Sequence, residues 1–163
     1  MENSYRFIGS INSDMLKDFY GFIATNPDVE NLTIYINSIG GDVSASIGIY
    51  NLIKNLRFNV TTHNLGDVSS AALLIYLAGK KRTAEDISKF MIHPIALTIN
   101  KTILRFQAEE ILNSISMDIE NYAAIVNKET ENLKGVYDIN YHLNYESLHL
   151  NKEKALACGI VTE

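Results

Sequence analysis

Leu32-Thr33-Ile34-Tyr35-Ile36-Asn37-Ser38-Ile39-Gly40-Gly41-Asp42-Val43-Ser44 is the stretch on which the fold turns. Its first five residues are β-branched or apolar without alternation, the pattern of a strand buried on both faces, as in a parallel sheet. Gly40-Gly41 ends the run, and Asp42 or Ser44 can cap a helix whose Ile49, Leu52, Ile53 and Leu56 recur at i, i+3, i+4 and i+7. The same strand-turn-helix unit reads on either side. Upstream, Tyr5 to Ile8 is a strand, followed by a helix capped at Asn12 or Ser13 with Met15, Phe19 and Phe22 on one face, stopped by Asn26-Pro27. Downstream, a strand near Val60 to Thr62 leads through Asn64-Leu65-Gly66 into a helix from Ser69 to Ala78, closed by Gly79. That helix is apolar on every side and therefore central.

Three such units in succession predict a parallel α/β architecture, because neighbouring parallel strands need a crossover between them. Lys89 to Ile92 is a further strand ending at His93-Pro94. From about Thr102 to Glu131 runs a long helix with Ala108, Ile111, Ile115, Ile119, Tyr122 and Val126 as its stripe. At about 1.5 Å per residue it would span roughly 40 Å, more than so small a core can cover, so it is expected to project and meet a partner. Asn151 caps a last short helix ending at Gly159, before Ile160-Val161. Only Pro27 and Pro94 occur and no Gly/Ser-rich linker interrupts the chain, so residues 1–163 read as a single domain.

Composition narrows the function. The 163 residues are 47% hydrophobic and 20% charged, too apolar for a disordered chain. A net charge of −5, with no basic run longer than Lys80-Lys81-Arg82, argues against nucleic acid as a partner. The single cysteine, Cys158, can form neither an internal disulfide nor a multi-cysteine metal cage. His63, His142 and His149 have no metal-ligand spacing, so no metal and no cofactor are expected. The N-terminus lacks the basic start and apolar run of a signal peptide, and no stretch is long and apolar enough to cross a bilayer. The expectation is a cytoplasmic protein without a membrane.

Three places could carry chemistry. Gly40-Gly41, between a buried strand and a helix, lets the backbone approach a ligand or a developing oxyanion, or simply makes a tight turn. The pattern is not a nucleotide loop: there is no third glycine at dinucleotide spacing and no Gly-Lys-Ser/Thr. Ser69-Ser70 lies at a strand-to-helix turn, where a hydroxyl is either a helix cap or a rigidly held nucleophile. His93 closes a strand, where α/β folds place their crevices. Glu109-Glu110 in the long helix reads as surface.

Taken in order, these pieces resemble the proteolytic subunit of the Clp protease, the ClpP family of serine peptidases. Ile34-Tyr35-Ile36-Asn37-Ser38-Ile39-Gly40-Gly41 is similar to that family's Leu-Tyr-Ile-Asn-Ser-Pro-Gly-Gly, with Ile39 for proline, and Gly48-Ile49-Tyr50 continues the match. Thr62-His63-Asn64-Leu65-Gly66-Asp67-Val68-Ser69-Ser70-Ala71 resembles its Thr-x-x-x-Gly-x-Ala-Ala-Ser-Met. Phe90-Met91-Ile92-His93 matches its Met-Ile-His, and Lys154-Ala155 through Gly159-Ile160-Val161 its closing Glu-Ala-x-x-Tyr-Gly-Leu-Val. The resemblance implies a ClpP/crotonase-like α/β spiral of strand-turn-helix units with the long helix projecting. It also implies Ser70 as nucleophile, His93 as general base, and the N–H groups of Gly41 and Ala71 as an oxyanion hole. The function it implies is hydrolysis of peptide bonds in unfolded polypeptides or peptides by a homo-oligomeric ring.

The chain departs from the family pattern at four points. The family's third triad residue, an aspartate, falls on Ser147, beside Glu146, so the imidazole is oriented by that hydroxyl, by Glu146 or by no side chain; Asp138 is the next candidate. The glycine-rich stretch after the histidine is replaced by Ile95-Ala96-Leu97-Thr98-Ile99. Ala71 stands for methionine. A Clp-type ATPase unfoldase is the partner the resemblance implies, yet the chain begins almost at its first core strand, without the segment that builds axial pore loops. Two rivals follow: a noncatalytic or weakly active ClpP-like subunit with an assembly or regulatory role, and acyl-thioester chemistry on the related crotonase fold.

Overall fold

The computed structural model describes residues 3–57, 59–130 and 133–163. It is a six-stranded sheet wound by helices. Strand β1 (Asn3–Ile11), helix α1 (Ser13–Thr25), β2 (Asn31–Gly41), α2 (Val43–Lys54), β3 (Asn59–Ser69) and α3 (Ala72–Leu77) are the three units. Then follow β4 (Lys81–Ala84), β5 (Lys89–Ile92), the long α4 (Arg105–Glu129), a 3₁₀ turn at Leu133–Gly135, α5 (Ile139–Asn144), β6 (Leu148–Asn151) and α6 (Lys152–Ala157). The sheet order is β1-β2-β3-β5-β6 with β4 also on β3; every pairing is parallel except β5 with β6.

The expected caps form. Asn12 Oδ1 accepts the N–H groups of Asp14 and Met15, Asp42 Oδ1 that of Ala45, and Asn151 Oδ1 that of Lys154. Phe7, Phe19, Ile34, Ile36, Ile49 and the whole of α3 share one core that extends to Val161. Residues Ala71 to Leu77 are fully buried, as an all-apolar helix must be.

Three expectations change. The strand expected near Val60 to Thr62 runs on to Ser69, through the Asn64-Leu65-Gly66 read as a turn. Asn64 explains this: fully buried, it takes Gly66 N–H on Oδ1 at 2.8 Å and donates Nδ2 to Lys89 O at 2.9 Å. Its amide bridges the point where β3 leaves β4 (Thr61 to Asn64 on Lys81 to Ala84) and takes up β5 (Asp67 to Ser69 on Lys89 to Met91). The helix expected from Ser69 begins only at Ala72, because Ser69 is still laddered to Met91. Helix α4 starts at Arg105, not Thr102, and its expected end at Glu131 lies outside the described residues.

Helix α4 has two unlike halves. Tyr122, Ala123 and Val126 are buried, whereas Phe106, Leu112 and Met117 are more than half exposed. Glu109 and Glu110 are exposed as expected, Glu109 pairing with Arg105 at 2.8 Å.

Candidate active site

The carboxyl ends of β2, β3 and β5 meet at Ser70. Ser70 has φ 55°, the left-handed region and the one non-glycine residue there among those described. For a residue with a Cβ that conformation carries strain, which the surroundings must hold in place. They do so from both sides: Ser70 N–H donates to Met91 O at 2.7 Å, and Ser70 O accepts from Leu73 N–H at 3.0 Å and from the Tyr122 hydroxyl at 2.9 Å. The half-buried Ser70 side chain caps nothing; Ala71 occupies the N-cap of α3 without a side-chain bond. The capping role that the residue types allowed is therefore not the one Ser70 takes. Ser70 N–H is spent on β5, whereas Ala71 N–H, at the turn itself, has no partner among the described residues.

Ser69 is engaged elsewhere. Its hydroxyl donates to the Asp67 carboxylate, which also pairs with Lys89 Nζ at 2.9 Å, and Asp67 N–H is held by Asn37 Oδ1 at 3.0 Å. The two serines thus divide: the Ser69 side chain is tied to Asp67, and Ser70 carries the left-handed turn.

Gly40 and Gly41 bring β2 up to this turn. A Cβ on Gly40 would lie 2.6 Å from Ser70 Cβ and 3.0 Å from Ala71 N, and its φ is 96°. Only glycine lets the backbone come so close. Gly41, with φ 147°, presses on the other side against β1, where a Cβ would sit 2.2 Å from Ile11 O. The bond to Ile11 O is made by Asp42 N–H at 3.0 Å.

His93 follows the last residue of β5, two positions beyond the Met91 carbonyl that holds Ser70. Its Nδ1 lies 2.8 Å from Pro94 O. A carbonyl can only accept, so Nδ1 carries a proton, and in the neutral ring Nε2 is the acceptor. The antiparallel β5–β6 ladder ends with Ile92 opposite Leu148, so His93 and Ser147 are the next residues on either side of its end. Ser147 and Glu146 are both exposed, and neither is hydrogen-bonded to His93. Glu146 accepts from the Tyr141 hydroxyl at 3.1 Å, and Asp138 caps α5 through Tyr141 N–H at 3.2 Å. The segment 95–99 beyond His93 forms no strand, and Leu97 and Ile99 are exposed.

Sequence reasoning missed β6, whose Leu148-His149-Leu150-Asn151 is too short to declare itself, and the polar links from Tyr122 and Asp67 to the serine turn. Tyr122 stood out only as part of an apolar stripe; a tyrosine at a core position was the available signal.

Residues 9–163 match the profile of the Clp protease family. Two relatives carry the name ATP-dependent Clp protease proteolytic subunit 2. That of Borreliella burgdorferi is 30% identical over 105 residues, 63% of this chain and 46% of the relative. That of Prochlorococcus marinus is 29% identical over 130 residues, 77% of this chain and 64% of the relative. The chain thus spans 46% and 64% of the length of these curated relatives. Among solved structures, a mutant of ClpP1 from Listeria monocytogenes superposes with a TM-score of 0.80 at 27% identity, covering 99% of this chain and 90% of that one. With the spiral of strand-turn-helix units and the long helix matched over nearly the whole chain, the protein belongs to the Clp protease family.

Proposed function

We propose that this chain is a serine-type endopeptidase subunit that cleaves unfolded polypeptides or peptides through an acyl-enzyme on Ser70. The observation that carries the reading is the left-handed Ser70, with its hydroxyl free of capping duty and its main chain clamped between β5 and α4. Ser70 Oγ attacks the peptide carbonyl carbon as His93 Nε2 takes its proton. The tetrahedral oxyanion is received by the N–H groups of Ala71 and Gly41. Collapse breaks the C–N bond, and the imidazolium returns the proton to the leaving amine. Water, deprotonated by His93, then attacks the acyl carbon and releases Ser70. No metal or cofactor enters. The subunit works in the cytoplasm as a homo-oligomer through the exposed half of α4, and a Clp-type ATPase is the class of partner that would deliver unfolded substrate.

A second reading, a weakly active or noncatalytic subunit, is favoured by one observation: Nδ1 of His93 is held by a main-chain carbonyl, which cannot stabilise the imidazolium as a carboxylate would. A fluorophosphonate separates the two. Stoichiometric modification mapped to Ser70 by mass spectrometry, lost in Ser70→Ala, is expected; an adduct on Ser69, or none on a folded protein, overturns the peptidase reading.

A further inference from the structure

The Tyr122 side chain is fully buried in the inner half of α4, where phenylalanine would fill the same apolar space. Only its hydroxyl calls for an explanation. Among the described residues that hydroxyl makes one bond, to the carbonyl oxygen of Ser70 at 2.9 Å, across 52 residues of chain. Burial pushes the phenol far above its usual range, so it is a donor at every working pH.

The bond acts on more than Ser70. The carbonyl of Ser70 and the N–H of Ala71 belong to one planar trans peptide, in which C=O and N–H point in opposite directions. Whatever holds the oxygen therefore aims the hydrogen. With Ser70 O drawn inward by Tyr122 and by Leu73 N–H, Ala71 N–H is turned the other way, and it meets no acceptor among the described residues. Gly40 lies against the same peptide, since a Cβ there would sit 3.0 Å from Ala71 N. The turn that presents this N–H is left-handed at a residue with a side chain, a conformation that relaxes unless it is held.

We propose that Tyr122 is a positioning residue for the oxyanion: its hydroxyl fixes the Ser70–Ala71 peptide so that Ala71 N–H points at the developing negative charge. This rests on Ser70 being the nucleophile, and it adds a role for α4 in the chemistry. The role is specific to the transition state. The ground-state carbonyl gains little from the donor, so loss of the phenol oxygen lowers kcat and leaves KM nearly unchanged.

The test compares Tyr122→Phe with the parent in the full-length protein, using a fluorophosphonate and a fluorogenic peptide. Expected are an adduct on Ser70 in both, a labelling rate and a kcat about 10-fold lower in Tyr122→Phe, and a KM within about 2-fold of the parent. A merely structural hydroxyl would lower Tm and leave the rate per folded molecule intact; that result overturns the proposal and spares the nucleophile. Failure of the parent itself to label at Ser70 overturns both. Should Tyr122→Phe not fold, 3,5-difluorotyrosine placed at 122 keeps the shape and strengthens the donor. Labelling at or above the parent rate is then expected, and a slower rate overturns the proposal.

Discussion

His93 donates Nδ1–H to a carbonyl belonging to the next residue, which sets the tautomer but offers no charge to an imidazolium. In a serine protease the loss of the orienting carboxylate costs about 10⁴ in kcat. We propose position 147 as the one from which a carboxylate would reach His93, because the β5–β6 register carries it to the same end of the ladder. Ser147→Asp is therefore expected to raise the single-turnover acylation rate by at least about 10-fold. Glu146 is exposed and engaged by the Tyr141 hydroxyl, so Glu146→Gln should change that rate less than about 2-fold. The opposite pattern in stopped-flow traces would assign the orienting role to Glu146. Local geometry also makes the two adjacent serines inequivalent. Ser69 sits at the end of the β3–β5 ladder with Asp67 as acceptor, while Ser70 takes the left-handed turn.

Helix α4 serves two environments along 25 residues. Its inner half packs into the core through Tyr122, Ala123 and Val126, and its outer half carries Phe106, Leu112 and Met117 with more than half of each side chain in water. We propose that these exposed apolar side chains meet a second copy of the chain. We expect the protein in solution to have a mass that is a multiple of 18.3 kDa at micromolar concentration. Leu112→Asp, which adds charge at an exposed position, should lower that mass by light scattering while leaving the far-UV circular dichroism unchanged. A parent that remains monomeric would remove the interface from α4.

Across the whole molecule, the inner end of α4, β4 and the C-terminal tail are tied by one buried cation. Arg82, 7% exposed, donates to Ile160 O at 2.7 Å, Gly159 O at 2.8 Å, Glu129 O at 3.0 Å and Gly79 O at 3.3 Å. Burial lowers its pKa, and the nearby Glu129 opposes that shift. Arg82→Ala leaves four carbonyls short of a donor and is expected to cost about 3 kcal/mol in urea unfolding. Beside it, burial tends to raise the pKa of Glu129, but hydrogen bonds from Tyr50 at 2.6 Å and Lys54 at 3.1 Å outweigh it and hold the carboxyl below its ordinary 4.5. A carboxyl depressed on folding stabilises the native state above its unfolded pKa, and that contribution fades as pH falls through the folded value. Tm should therefore drop on acidification below about 4.5, and Glu129→Gln should flatten that part of the profile.

What the amino-acid sequence determined by itself was local. β-branched runs, Asn and Asp caps and the 3.6-residue stripes placed β1, α1, the start of β2, α2, β5 and the span of α4 to within a few residues, because those signals lie within one element; β2 itself runs five residues past Ile36, through Gly41. The order Gly40-Gly41, Ser70, His93 was legible for the same reason, as was the family it points to. The long course of β3, the strand β6 and the partners of Ser70 were decided only in three dimensions. A buried Asn64 amide replaces the backbone bonds that a turn would have broken, Leu148 becomes a strand residue by pairing with Ile92, and Tyr122 reaches Ser70 from 52 residues away. Apart from the local Asn64–Gly66 contact, these are hydrogen bonds whose two ends share no local pattern, so only folding brings the donor to its acceptor.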